Sequence, residues 1–400
     1  MKTNAYILLL FSLLSSVLTN AQPTKTYNST AARKSFYEAQ VKKYHSEAIK
    51  EIWNSDQKNT FDSYVDARDE AGIINEFSTV IHELLHGYNN TDSKGHTYFI
   101  EPGVKITVPT DAYYTSSDID KMVPKARRDS ILRYSLYVSG KTVFNSMGLK
   151  IDTGTKEGEV MSCSMGIFGM VEELDAYYYG ALCAYEQLPY FQDAYGKENA
   201  EGLEAYTEEL AGETVAFYEF RLFIGWYLLY AKIHKPEVYK KTYENNALRV
   251  AFTLLYNKYK DLVQKANERI ESLKSFTGPN PLATVKFDGS EQDMIEFLEY
   301  SGWPAEYLYR TETKTVNGTT KKIKVLILDE EELAEAKQEY MEVIKEFKEA
   351  TNGDFMALFF GNYSAQNEYL ERLYNAEAAA EINNFMIPGV TVKNWQQYAR

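Results

Sequence analysis

The chain has 400 residues, 44% of them hydrophobic, enough to bury a sizeable core in one large or two medium domains. Its 43 Lys and Arg face 57 Asp and Glu, a formal net charge of -14 that argues against a nucleic-acid partner, since phosphates would be repelled over most of the surface. Two cysteines, Cys163 and Cys183, exclude a disulfide scaffold and a cysteine-based zinc module.

Residues 1–21, MKTNAYILLLFSLLSSVLTNA, carry one early cation, an apolar run from Ile7 to Leu18 and small residues up to Ala21. That is the anatomy of a cleavable signal peptide, with the cut expected after Ala21 and a secreted or periplasmic product. The apolar run is short for a membrane span, and no later stretch is long enough, so none is expected in the mature chain. Export permits a Cys163–Cys183 bridge, but Cys183 on a predicted helix reads instead as a packed apolar residue.

Helical spacing runs over 31–54 and again over 63–88, where Asn89-Asn90 can close the helix. Residues 97–109 alternate around Pro102-Gly103 and predict two short strands. Helices are expected near 118–147 and 166–188, separated by a Gly-rich turn at 154–158. The stretch 202–276 is helical with a break at Pro236, and TGPNP at 277–281 reads as a linker. A hairpin is expected over 307–328 around Asn317-Gly318, followed by helices over 330–350 and 357–385. The sum is a predominantly helical α+β fold with a small β component. The 33 tyrosines suit a core whose hydroxyls bond at its margins.

The second helix holds His82-Glu83-Leu84-Leu85-His86, in a chain with only five histidines. Side chains four apart share a helix face, so His82 and His86 can present ring nitrogens to one Zn²⁺. Glu83 lies about 100° further around, beside the metal, where it can take a proton from zinc-bound water. Ile73, Phe77, Val80, Ile81, Leu84 and Tyr88 form an apolar stripe that anchors the helix, and Asn75, Ser78 and Thr79 keep the ligand face small.

HELLH on a helix resembles the zinc metallopeptidases, and a later Glu-x-x-Ala helix makes the resemblance gluzincin-like. The resemblance implies that both histidines bind zinc, that Glu83 is the general base, and that a downstream glutamate is the third ligand. Glu173-Leu174-Asp175-Ala176 fits, on a helix whose Ala176, Gly180 and Ala184 form a small-residue stripe suited to close helix packing. Glu172 is its rival, and the acid that is not the ligand, together with Asp175, can orient a ligand histidine. A metzincin-like reading would put Asn89 at the glycine position and Asp92 as ligand, with His96 as a spare. For the oxyanion, Tyr177 is the pick; Tyr113, Tyr114, His96 and His234 are further candidates, His234 reading as a helix-end cap and His45 as structural.

The expected organisation is a zinc-peptidase-like catalytic domain over 22–200, its HExxH helix packed on the second ligand helix, and a helical domain over 201–400 carrying the hairpin. The expected function is an exported zinc metallopeptidase acting on peptide or protein substrates, with the 97–109 strands as an edge for extended substrate. The alternative is a secreted binding or scaffold protein with a vestigial or structural zinc site.

Overall fold

Polar side chains divide the helical stretches more finely than periodicity does. In the computed structural model, which describes residues 25–89, 95–131, 133–139, 161–276, 309–316, 319–326, scattered positions between 338 and 349, and 363–399, the first element is α1 (Thr30–Tyr44). Ala32 N donates to Ser29 Oγ at its start, and α2 (Glu47–Trp53) begins anew after His45 and Ser46. A 3-10 stretch (Asp56–Tyr64) follows, and the helix expected over 63–88 is divided into α3 (Glu70–Asn75) and α4 (Phe77–Asn89). Ser55 and Asp69 side chains cap two of those starts, so local hydrogen bonding interrupts the apolar period. The signal segment 1–21, the turn at 154–158, the linker at 277–281 and most of 330–350 lie outside the described residues.

Glu76 sits at the joint between α3 and α4, and both its carboxylate oxygens accept the Ala67 N–H, at 3.2 and 3.1 Å. Burial pushes its carboxyl up to about 7 from 4.5. The folded state therefore holds that proton more tightly than the unfolded chain does. The stability this adds is fully present below 4.5 and is lost as pH rises through about 7. Glu76→Gln should reduce the fall in thermal midpoint between roughly pH 5 and pH 8. Parallel slopes for the two proteins would contradict this.

The strands expected over 97–109 are β1 (His96–Glu101) and β2 (Val104–Val108), an antiparallel pair with Tyr98 opposite Ile106. The helix expected near 118–147 is broken up. Up to residue 139 it consists of a 3-10 turn (Ser116–Lys121), α5 (Lys125–Asp129) and a π-helical turn (Ser135–Ser139), and 140–147 lie outside the described residues. Pro124 stops the first piece, and Ser116 and Ser130 hydroxyls donate to backbone carbonyls at either side.

After the short α6 (Met161–Ser164) comes α7 (Ile167–Glu186), buried on every side along nearly its whole length. Gly166 opens it with φ +58°, and an added Cβ would sit 2.2 Å from the Tyr114 carbonyl oxygen. No L side chain fits there, because neighbour and backbone angle both forbid it. Tyr114 cannot yield, since its ring stacks on Tyr227 at 4.0 Å and the two exchange hydrogen bonds. Gly166→Ala should cost about 3 kcal/mol or more in chemical denaturation, from strain and overpacking together. A cost below about 1 kcal/mol would show that the α7 entry is adaptable.

Next come α8 (Leu188–Tyr195), the 35-residue α9 (Ala200–His234), α10 (Pro236–Glu244) and α11 (Asn246–Leu273). Pro236 makes the expected break, and Asn199 and Asn245 side chains cap α9 and α11. The hairpin is β3 (Tyr309–Val316) paired antiparallel with β4 (Thr319–Leu326), flanking positions 317 and 318. The last helices are α12 (Tyr363–Leu373) and α13 (Ala376–Phe385), divided at the Asn375 cap.

The architecture is predominantly helical α+β. α7 packs between α4 and α9, with α11 also against it, and α12 and α13 lie on α9. One hydrophobic cluster runs from Tyr27 to Val390, with residues on both sides of the boundary expected between 200 and 201. Buried tyrosines serve it as the composition suggests: Tyr37, Tyr98, Tyr179 and Tyr259 donate to the carbonyls of Ile73, Phe168, Ile100 and Glu213. Cys163 and Cys183 are separate buried thiols with no disulfide between them. Among the described residues no helix is long and apolar enough to cross a membrane.

Candidate metal centre

The centre lies where α4 meets α7. On α4, Phe77, Val80, Ile81, Leu84 and Leu85 are fully buried, which fixes the rotation of the helix and turns Ser78, His82 and His86 toward α7. The approach is close: a Cβ on Gly180 would lie 3.4 Å from the Ser78 carbonyl oxygen and 3.0 Å from Glu213 Oε2 of α9. Gly180 costs helix propensity of about 1 kcal/mol against Ala, and this contact is its physical reason.

Three side-chain atoms converge in that contact. His82 Nε2 and His86 Nε2 are 3.1 Å apart, and each lies 3.5 Å from Glu173 Oε2. Two ring nitrogens this close cannot both carry protons, and the buried Glu173 Oε2 has no hydrogen-bond partner. Two ring nitrogens and a carboxylate oxygen facing one point are satisfied together by a shared cation. A tetrahedral zinc with bonds of about 2.0–2.1 Å has ligand-to-ligand edges of about 3.3–3.4 Å, and the three separations bracket that value. The donor set fits zinc. Among the described residues it is the one such group of His, Cys, Asp and Glu.

The neighbouring acids divide the supporting work. Glu172 Oε1 lies 3.3 Å from His86 Nδ1, the ring nitrogen turned away from the cluster, and so fixes its tautomer and tilt. Asp175 Oδ2 accepts from Asn89 Nδ2 at 2.8 Å and from Phe99 N at 3.1 Å, tying the end of α4 and strand β1 to α7. Burial pushes Asp175 up to about 8. Burial opposes charge on His86, but Glu173 and Glu172 outweigh it and lift the imidazole well above its usual range. Glu173 is the mirror case, with burial overcome by His86 and His82, so its carboxyl is held below the usual carboxylate range.

Glu83 is half-buried on the same turn. Burial raises its carboxyl, and the two histidines only partly offset this. Its basicity is thus moved toward neutral pH, where a proton acceptor works best.

The other sequence candidates fall in different places. His96 is buried on β1 with its ring stacked on Phe168 at 4.6 Å, outside the three-atom cluster, and Asp92 lies outside the described residues. Tyr113 is exposed, Tyr114 is locked against Tyr227, and His234 is exposed at the end of α9. His45 is buried against Phe77 and within 3.3 Å of Glu186. Tyr177 does reach the centre, its ring 4.5 Å from that of His82. Its hydroxyl pairs with Tyr137 at 3.0 Å. Sequence reasoning missed Tyr137, because the π-helical turn that presents it has no periodic signature.

No family model, no curated protein and no solved structure matches this chain.

Proposed function

We propose that this chain is an exported zinc-dependent peptidase in which His82, His86 and Glu173 hold the metal and Glu83 is the general base. The observation that carries the reading is the convergence of His82 Nε2, His86 Nε2 and Glu173 Oε2 at separations of 3.1–3.5 Å, beside a glutamate with a raised pKa. Bound zinc would supply Lewis acidity toward a water molecule and a peptide carbonyl. Three protein donors suit a catalytic site, which keeps a position open.

Glu83 takes a proton as the water oxygen bonds to the carbonyl carbon, then gives it to the leaving amine nitrogen as the C–N bond breaks. Glu172 keeps His86 oriented throughout, and Asp175 keeps α7 in register with α4. The side chain of His86 is 25% exposed, against 8% for His82 and 7% for Glu173, so substrate approaches from the His86 side. The leader at 1–21 agrees with an exported enzyme.

The test is metal analysis of purified protein together with casein hydrolysis before and after chelation. About one zinc per chain and activity that chelator removes and zinc restores are expected. Bound zinc without chelator-sensitive hydrolysis would instead mark the secreted scaffold with a structural zinc site. Absence of zinc binding would refute the peptidase reading and leave the secreted scaffold with a vestigial site.

A further inference from the structure

Arg133 and Glu219 form a buried ion pair next to the centre, 4% and 0% exposed. The Arg133 backbone N donates to Glu219 Oε1 at 3.1 Å, Nη1 donates to Oε2 at 2.6 Å, and Nη2 donates to the Gly212 carbonyl at 3.2 Å. Held at two points, with its own backbone N tied to the same carboxylate, the guanidinium lies over the ring of Tyr177, 4.8 Å from its centroid. Tyr177 is therefore flanked by a fixed cation and by the ring of His82.

Replacing a buried pair of this kind by apolar groups is often neutral for stability, so fold strength is a poor reason for it. The hydroxyls suggest a better one. When Tyr137 and Tyr177 bond to each other at 3.0 Å, that contact uses one O–H and leaves the other to donate elsewhere. A cation over the ring face draws electron density from the phenol and strengthens its donation.

We infer that Arg133 is a positioning residue, holding the Tyr137–Tyr177 hydroxyl pair so that its remaining O–H donates to an anionic ligand oxygen at the His82–His86–Glu173 centre. This rests on the peptidase reading, where that oxygen is the one developing on the scissile carbonyl. No covalent step is involved, since the pair gives a hydrogen bond and keeps its proton.

The experiment uses full-length protein with cobalt in place of zinc, titrated with acetohydroxamate and followed by its visible absorption. Tyr137→Phe removes one hydroxyl, and Arg133→Lys keeps the charge but loses the planar fork. The double variant Arg133→Met with Glu219→Gln removes both charges together, so that no buried charge is stranded if Arg133→Lys folds poorly. All three should bind cobalt with the wild-type spectrum yet bind acetohydroxamate at least about tenfold more weakly, the expected loss of a charge-supported hydrogen bond. On casein, kcat should fall by at least about tenfold with KM nearly unchanged, as for an interaction made late in the reaction.

Acetohydroxamate affinity equal to wild type in Tyr137→Phe and in the double variant would overturn the inference. So would an altered cobalt spectrum in the double variant, which would make the pair a support of the metal ligands. The peptidase reading is judged separately, on wild-type casein hydrolysis. An active wild type with unaffected variants sinks only the present inference.

Discussion

Glu83→Gln should keep about one zinc per chain and lose casein hydrolysis by a factor of about 10²–10⁴, the usual worth of a positioned general base. The substitution preserves shape and removes only the ability to accept a proton. The three atoms of the metal cluster do not include Glu83, so metal content and the fold should be unchanged. Loss of a carboxyl that burial already disfavours should not lower stability at neutral pH. The wild-type pH profile adds a sign. Because Glu83 must be ionised to act and its pKa is raised, activity should fall on the acid side at a pH above the ordinary glutamate range. A Glu83→Gln protein that retained wild-type kcat with zinc bound would refute the mechanism.

The second large effect separates two adjacent acids. Glu173→Ala removes one of three donors and should weaken zinc binding by more than about a hundredfold, since the remaining pair of histidines is an incomplete site. Glu172→Gln should weaken it by only about 10–100-fold, the typical cost of losing a carboxylate behind a ligand histidine. Competition against a chromophoric chelator measures both. The order of the two variants is the informative quantity, because Glu172 touches His86 through Nδ1 while Glu173 faces both Nε2 atoms. The reverse order would mean that α7 is rotated by one residue, about 100°, from the arrangement described.

Legibility in the sequence followed the range of the interactions involved. The β1–β2 pair, the break at Pro236 and the HELLH helix were readable because each depends on residues within a few positions. Helix ends were read less well. The stretch 63–88 has a continuous apolar period, but the Asp69 side chain offers the Gly72 N–H a competing partner and restarts the helix at α3. Near 118–147 the same competition, with Pro124, leaves short turns where periodicity implied one helix.

For this protein, the sequence by itself determined the helical class, the pairing of His82 with His86 on one face and the presence of acids at 172, 173 and 175 downstream. Only the tertiary structure decided which acid meets the histidines, because a one-residue change is a rotation of α7 that local pattern does not encode. It also brought Arg133 to Glu219, 86 residues away, and Tyr137 to Tyr177. Those contacts join the segment at 133–139 to α9 and to α7, and no window of consecutive residues contains both partners.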